Sequence, residues 1–168
     1  MTEDNKFYGK YRGTVSNNKD PLMVGRICAK VPDVLGDKES TWALPCMPFG
    51  GKGMGFFAIP SEGAGVWIEF EQGDLDYPIW SGCWWDSSSE IPTDLMTPPY
   101  QKLMIVTEGG QSITLDDTSG VEGIKLETFG GQKIVVTATG IEINNGNGAV
   151  IKLSGNQVTI NNGALEVT

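Results

Sequence analysis

The stretch that decides the fold is Thr107-Glu-Gly-Gly-Gln-Ser-Ile-Thr-Leu115, because it returns 21 residues later as Thr128-Phe-Gly-Gly-Gln-Lys-Ile-Val-Val136. A second repeat follows, in which Ile143-Asn-Asn-Gly146 returns as Ile160-Asn-Asn-Gly163. Closely spaced repeats of this kind are typical of stacked or wound β structure, where each unit buries its apolar face against its neighbours.

A simpler unit runs through the same region: two apolar residues separated by one spacer. Such an i, i+2 pair places two side chains on one face of a strand, and the Gly, Asn and Asp residues between pairs supply turns. The sequence therefore predicts a ladder of seven short strands, each with one apolar face. The pairs are Ile113/Leu115, Ile124/Leu126, Ile134/Val136, Ile141/Ile143, Ile151/Leu153, Val158/Ile160 and Leu165/Val167.

A single thin ladder would leave its apolar face and its strand edges open. Chains wound together about one axis would turn those edges into interfaces and place the pairs inside. We therefore predict that copies of the chain associate through these pairs in an intertwined β structure. Its axis core would be formed by Ile113, Leu115, Ile124, Leu126, Ile134, Val136, Ile141, Ile143, Ile151, Leu153, Val158 and Ile160.

Composition limits the function classes. The net charge of −9 disfavours nucleic acid as a partner, because proteins that bind it carry basic patches. The chain has no His and three widely spaced Cys, which favours free thiols over a metal site or a disulfide framework. No metal or cofactor is expected. The polar N-terminus lacks a secretion signal, so we expect assembly in the cytoplasm.

The first half of the chain contains five or six short aromatic and β-branched segments between turns, which predicts a small closed barrel. Among them are a strand over residues 22–31, with a bulge or tight bend at Gly25, and a strand over residues 56–60. Its Gly-rich loop carries Lys52, but Gly53 follows where a phosphate-binding loop needs Ser or Thr. Trp67, Trp80 and Trp84 are expected to fill the barrel; the alternative is a stacking platform for bases or sugars.

The predicted organisation is all-β throughout. Residues 1–6 form an N-terminal arm and residues 7–85 the barrel. The Ser/Pro-rich residues 86–105 form a linker, and residues 106–168 form the spike.

One run of the barrel region is specific enough to suggest a family: Val66-Trp-Ile-Glu-Phe-Glu71, followed by Gly73-Asp74 and Pro78. With the other matching residues, it resembles the OB-fold domain of the central spikes of contractile tails. That family includes phage central spikes, baseplate assembly protein V, VgrG proteins of type VI secretion and spikes of extracellular injection systems. The other matches are Tyr8-Gly-Lys-Tyr-Arg-Gly13, Val15, Asp20-Pro21, Gly25-Arg26-Ile27, Val31-Pro32, Trp42-Ala43, Pro45, Phe57, Ile59-Pro60, Gly63, Gly65 and Gly82.

The resemblance implies a structural spike at the centre of a baseplate that helps to pierce the target envelope. It implies a homotrimer, in which an OB fold is followed by an intertwined β-helix of three chains that forms the needle. It implies a separate hub protein, because the chain shows no hub domain. It also implies a PAAR-type tip protein on Leu165, Glu166, Val167 and Thr168. The chain would become part of a phage tail-like particle, and a target membrane would be contacted only during injection.

Two other classes of function are weighed against the spike. A binding module for oligosaccharide or single-stranded nucleic acid would need a basic, aromatic groove, whereas the basic residues here are scattered. An enzyme would need paired acids, but Asp74/Asp76 and Asp116/Asp117 lie in predicted turns, where Asp caps the backbone. We therefore expect no catalytic residues.

Overall fold

The computed structural model describes residues 6–167, without the exposure of Gly163 and the side chains of Glu166 and Val167. Strands dominate both of its compact units, which divide between Glu90 and Ile91. The all-β prediction is confirmed. Residues 1–5 of the predicted arm and Thr168 of the predicted tip surface lie outside the described residues.

The first unit is an OB-like barrel built on a five-stranded sheet in the order β2-β1-β6-β7-β3. Neighbouring strands are antiparallel except β3, which pairs with β7 in parallel. Backbone hydrogen bonds between Ile27 and Ala43, of 2.7 and 3.2 Å, link the two ends of the sheet and close the barrel. The strands are β1 (Tyr11–Asn17), β2 (Cys28–Lys30), β3 (Leu44–Pro45), β6 (Gly65–Phe70) and β7 (Pro78–Trp84).

Alternation along β6 builds the barrel core. Val66, Ile68 and Phe70 point inward and are buried, while the residues between them are half-buried on the outer side. Trp80 of β7 completes the core, and its indole Nε1 donates to the carbonyl of Gly25 at 3.0 Å. The prediction that tryptophan side chains fill the barrel is therefore confirmed for Trp80.

Trp67 and Trp84 lie elsewhere. Trp67 occupies an outward position of β6, and its ring centroid is 6.4 Å from that of Trp84. The β6–β7 register shifts opposite Trp67, where β7 contains an extra residue, and this bulge changes the face on which the following side chains lie. The expectation that these two indoles fill the barrel is corrected: they pack against each other on its outer surface.

The turn between β1 and β2 is larger than the sequence suggested, because the predicted strand over residues 22–31 is reduced to β2. Asp20 organises this turn through hydrogen bonds with the amides of Leu22, Val24 and Arg26. Gly25 has a φ of +84° and lies against Phe57 and Ile59, which agrees with the expected tight bend at this glycine.

Several short elements complete the barrel unit. A four-residue helix, α1 (Pro32–Leu35), lies between β2 and β3. A two-stranded hairpin, β4 (Gly50–Gly51) with β5 (Met54–Gly55), replaces the expected irregular Gly-rich loop. The expected strand over residues 56–60 does not form. Short 3-10 turns occur at Glu71–Gly73 and Ser88–Glu90 in this unit, and at Thr93–Leu95 and Asn161–Gly163 in the second.

The second unit is one eight-stranded antiparallel sheet in which each strand pairs with its sequence neighbours. All seven predicted strands form, and an eighth precedes them, so the sheet begins at Lys102 inside the expected linker. The strands are β8 (Lys102–Val106), β9 (Ser112–Asp116), β10 (Gly123–Glu127), β11 (Lys133–Thr137), β12 (Gly140–Asn144), β13 (Val150–Ser154), β14 (Gln157–Ile160) and β15 (Leu165–Val167).

The hydrogen-bonded ladder of this sheet lies within one chain. Each inner strand has both edges occupied by its own neighbours, so only β8 and β15 keep an open edge. This differs from the expectation that strand edges would pair between chains. The physical reason is that turns of a few residues bring successive strands together before another chain can.

The repeated sequence corresponds to a repeated turn. The amides of Thr107 and Thr128 each donate to the carbonyl of the Gln four residues later, at 2.9 Å in both turns. Gly110 and Gly131 occupy matching positions with φ near +80°, a conformation that favours glycine. Both turns lie at the same end of the strands. Successive turns of an antiparallel meander alternate between the two ends, and these turns are two connections apart.

Candidate trimer interface

The apolar pairs of the sheet line up in two straight rows. Strand register places Leu103 beside Leu115 and Ile105 beside Ile113, and the same alignment continues across all eight strands. All twelve residues predicted for the axis core fall in these rows and share one face. The first row is Leu103, Leu115, Ile124, Val136, Ile141, Leu153, Val158 and Val167; the second is Ile105, Ile113, Leu126, Ile134, Ile143, Ile151, Ile160 and Leu165. We call this the row face.

The row face is open in the single chain. The exposed fraction of its exposed large apolar residues ranges from 37% at Ile141 to 59% at Leu103. Together they leave a patch on the order of 1,000 Å², whereas monomers seldom expose apolar patches beyond a few hundred Å². In β10, β11 and β12 every row residue is exposed and every residue of the opposite face is half-buried. The row face therefore lacks the cover that a folded domain needs.

The opposite face is polar and internally paired. Glu142 forms ion pairs with Lys133 at 3.3 Å and Lys152 at 3.7 Å, and Lys125 pairs with Glu127 at 2.8 Å. A hydrogen bond from Asn144, followed by the two lysines, lowers the pKa of Glu142. The Glu142 carboxylate thus has its hydrogen-bond and ion-pair partners within its own chain. This polar face can therefore remain exposed to solvent.

A similar pair lies at the first two strands. The Lys102 ammonium is 3.2 Å from the Asp116 carboxylate, which also accepts from the Thr118 amide at 3.0 Å. Hydrogen bonds from Thr118, then the lysine, lower the pKa of Asp116. Its turn-capping geometry agrees with the capping role expected from sequence, as does Asp74, which accepts from the Asp76 amide at 3.1 Å.

Leu103 and Ile105 belong to the row face although sequence reasoning placed them in the linker. The i, i+2 spacing of the other pairs is present, but it is hidden in the continuous apolar run Leu103-Met-Ile-Val106. Alternation is hard to detect in such a run. Extending the repeat one strand backwards from Ile113 would have found the pair.

The predicted tip surface is only partly described. β15 carries Leu165, an exposed residue of the second row, and pairs with β14 along one edge. The side chains of Glu166 and Val167 and all of Thr168 lie outside the described residues, so the predicted contact with a tip protein stays a prediction.

The barrel carries an aromatic cluster on its outer surface. The Arg12 guanidinium carbon lies 5.1 Å from the Trp84 ring centroid and 5.9 Å from that of Trp67, within range of a cation–π contact. Trp84 also donates its indole N–H to the Val66 carbonyl at 3.1 Å. The indole N–H of Trp84 is thus already hydrogen-bonded within the barrel.

Within residues 6–167, no cluster of three or more Cys, Asp or Glu side chains is placed to hold a metal ion. In that same range, no helix is both long and apolar enough to cross a bilayer. Burial raises the pKa of the half-buried Cys28 thiol, which disfavours the reactive thiolate.

Comparison with known proteins agrees with the division of the chain into a barrel unit and a sheet unit. Residues 11–85 match the family described as the type VI secretion system/phage-baseplate injector OB domain. Residues 102–166 match the phage baseplate V C-terminal trimerisation domain. The second match begins at the first residue of β8, and so includes the strand that sequence reasoning missed.

Two curated proteins of Pseudomonas aeruginosa PAO1 are similar to part of the chain. The type VI secretion system spike protein VgrG4b is 29% identical over 97 residues, which are 58% of this chain and 11% of that protein. The spike protein VgrG5 is 31% identical over 96 residues, covering 52% and 12%. The matched segments are thus small parts of both relatives. Since the two family matches follow one another along most of the sequence, the chain belongs to the phage baseplate V family, with its injector OB domain followed by its C-terminal trimerisation domain.

Proposed function

We propose that this chain is the structural spike at the centre of the baseplate of a contractile injection machine. The observation that carries the proposal is the row face: a continuous apolar surface, open in one chain, in a domain of a trimerisation family. Its role is structural rather than catalytic. The names of the two curated relatives, both spike proteins of type VI secretion, support the same assignment.

Three sheets packed with their row faces inward would form the needle. The twelve predicted axis residues, with Leu103 and Ile105, would lie inside, and the paired Lys and Glu side chains would face water. Burying apolar area at about 25 cal/mol per Å² strongly favours such packing. Since no strand can then separate without exposing apolar surface, the needle resists local opening under axial force.

The proposed partners follow from that role. A hub protein would hold the barrels, and a PAAR-type tip protein would cap the end formed by Leu165, Glu166, Val167 and Thr168. The spike would be assembled in the cytoplasm, become part of a phage tail-like particle, and contact a target membrane only while helping to pierce it.

The assignment can be tested by sedimenting contractile particles from cells that express a tagged chain and locating the tag in them. We expect the chain in the particles, with its label at the baseplate end in electron micrographs. Ile134→Asp should be missing from particles, since it places charge on the row face, whereas Val135→Asp, on the polar face of the same strand, should remain. A chain absent from intact particles, or located along the sheath, would count against the spike.

Removing residues 165–168 tests the tip contact separately. The shortened chain should still form a trimer, because seven strands of the row face remain, but it should no longer retain a tip protein during co-purification. Retention of the tip at wild-type level would place that contact elsewhere.

A barrel that binds a ligand is the second candidate, favoured by the outward Trp67 and Trp84 with Arg12. Indole fluorescence during titration with oligosaccharides and single-stranded DNA would test it. Saturable quenching that Arg12→Ala removes would support the binding module; a flat titration would leave the cluster as local packing.

A further inference from the structure

The Asp20 turn holds three apolar side chains out in solvent. Leu22, Met23 and Val24 are all exposed, and Met23 reaches 85%. The Asp20 side chain, itself only 4% exposed, accepts hydrogen bonds from three amides of the turn and from the Arg26 guanidinium at 2.7 Å. The turn is therefore rigid, although its apolar side chains contact little of their own chain.

Met23 adopts a φ of +53°, which is uncommon for a residue other than Gly, Asn or Asp. Such backbone strain persists only where the surrounding structure enforces it, and it is concentrated at functional sites. Here the Asp20 hydrogen bonds enforce it. Their result is the presentation of Leu22, Met23 and Val24 at the barrel surface, which does nothing for the barrel's own core.

A second exposed segment lies beside this turn. The hairpin region 49–57 carries Phe49, Met54, Phe56 and Phe57, all exposed. The amide of Phe56 donates to the carbonyl of Phe49 at 3.2 Å, which pairs the two ends of the hairpin. A Cβ on Gly25 would lie 3.4 Å from Phe57, so this segment adjoins the Asp20 turn. We call residues 22–24 and 49–57 together the barrel patch.

Charge distribution indicates what could cover the barrel patch. The chain carries a net charge of −9, yet residues 41–60 contain no acidic side chain and only one basic one, Lys52. Two copies of an acidic chain repel least where neither has carboxylates. The patch also exposes several hundred Å² of apolar surface, more than a monomer usually leaves open. On the barrel, this apolar surface with few charges is therefore suited to contact between identical copies.

We propose that the barrel patches of three copies pack against one another about the three-fold axis. The inference rests on the trimer of the proposed function. Once the sheets associate, the linker holds the three barrels at high effective concentration, so even a weak apolar contact forms without an entropic cost of bringing separate molecules together. Met23 and Phe57 would supply the centre of this contact.

Methionine oxidation of the purified full-length protein tests the contact. Dilute peroxide is applied, and sulfoxide at each methionine is quantified by peptide mass spectrometry. If neighbouring barrels cover the patch, Met23 and Met54 oxidise at least about tenfold more slowly than in the urea-unfolded chain. Oxidation of Met23 within about twofold of the unfolded rate would overturn the proposal.

A matched pair of variants sharpens the test. Met23→Glu places three carboxylates in the contact, so Met54 should oxidise at close to its unfolded rate while the trimer persists. Thr14→Glu makes the same charge change at an exposed position of β1 outside the patch, and should leave Met54 protected. Protection of Met54 in both variants would contradict the contact.

The mass of the same sample separates this inference from the proposed function. A threefold mass with fast oxidation of Met23 overturns only the contact between barrels. A single-chain mass counts against the trimer itself.

Discussion

The carboxylate of Asp20 accepts hydrogen bonds from three backbone amides and a guanidinium, and so organises a whole turn. The Arg26 guanidinium, followed by the amides, holds the pKa of Asp20 far below its usual range. The folded pKa is thus lower than the unfolded value of about 3.9. The stabilisation is therefore complete above about pH 4 and is lost as the pH falls towards the folded pKa.

Asp20→Asn tests that linkage. Barrel unfolding in urea, followed by tryptophan fluorescence at pH 7, 4 and 3, should show wild-type stability falling below pH 4. The variant should be less stable at pH 7 and depend less on pH, because its side chain cannot ionise. Asp37→Asn, an exposed change in the loop after α1, should keep the wild-type dependence. Equal pH dependence in the wild type and Asp20→Asn would contradict the role of this carboxylate.

Gly123 is needed for the close approach of two strands. A Cβ at this position would clash with the carbonyl oxygen of Val136 on the neighbouring strand. Gly123→Ala should therefore force β10 and β11 apart and cost about 1–3 kcal/mol of unfolding free energy. Gly109→Ala, where the nearest atom is a flexible Gln111 nitrogen at 3.7 Å, serves as the control in chemical denaturation. Equal stability of the two variants would argue against tight pairing here.

At the scale of single elements, β11 shows how the two faces of the sheet differ. Ile134 and Val136 lie in the rows, while Val135 lies between Lys125 and Glu142 on the polar face. The strand directs only apolar side chains to the row face, whereas Lys133 and Thr137 flank Val135 on the other, so alternation along one short segment builds both faces.

A pair of substitutions in β11 separates the faces. Ile134→Asp would place three carboxylates at one level of the axis without partners, which costs far more than trimer packing can offset at that level. It should abolish the trimer by light scattering. Val135→Asp makes the same change one residue away and should leave the mass unchanged. A trimer in both variants would mean that the rows do not face the axis.

Much of the sheet could be predicted from sequence, and the reason is visible in β9 to β15. Each strand there carries an i, i+2 pair bounded by Gly, Asn or Asp, so local pattern and final pairing agree. β8 was missed because the apolar Met104 and Val106 obscure its alternation. The location of strand edges within one chain could not be predicted, since the pairs indicate a shared face but not which chain supplies the neighbour.

The barrel was harder to predict, and its residues show why. The Asp20 turn replaces six residues of an expected strand, because side-chain hydrogen bonds over several positions compete with the ladder. Trp80 was placed correctly in the core, but Trp67 and Trp84 were not, since a bulge in β7 changes the face on which later side chains lie. A one-residue shift of this kind produces no periodic pattern in the sequence by which it could be detected.

At the scale of the whole molecule, both units leave apolar surface uncovered in one chain. The row face runs across all eight strands of the sheet, and the barrel patch joins two loops of the barrel. Identical copies meeting about an axis could bury the first completely, which agrees with membership of a trimerisation family. The central claim is therefore that the folded unit of this protein is three chains.

Mass in solution tests that claim most directly. Light scattering after size exclusion, with an unboiled SDS gel alongside, should give close to three times the 18.1 kDa of one chain and a band that resists SDS. A mass of one chain at micromolar concentration would contradict the account, because the row face would then have to remain stable in water without cover.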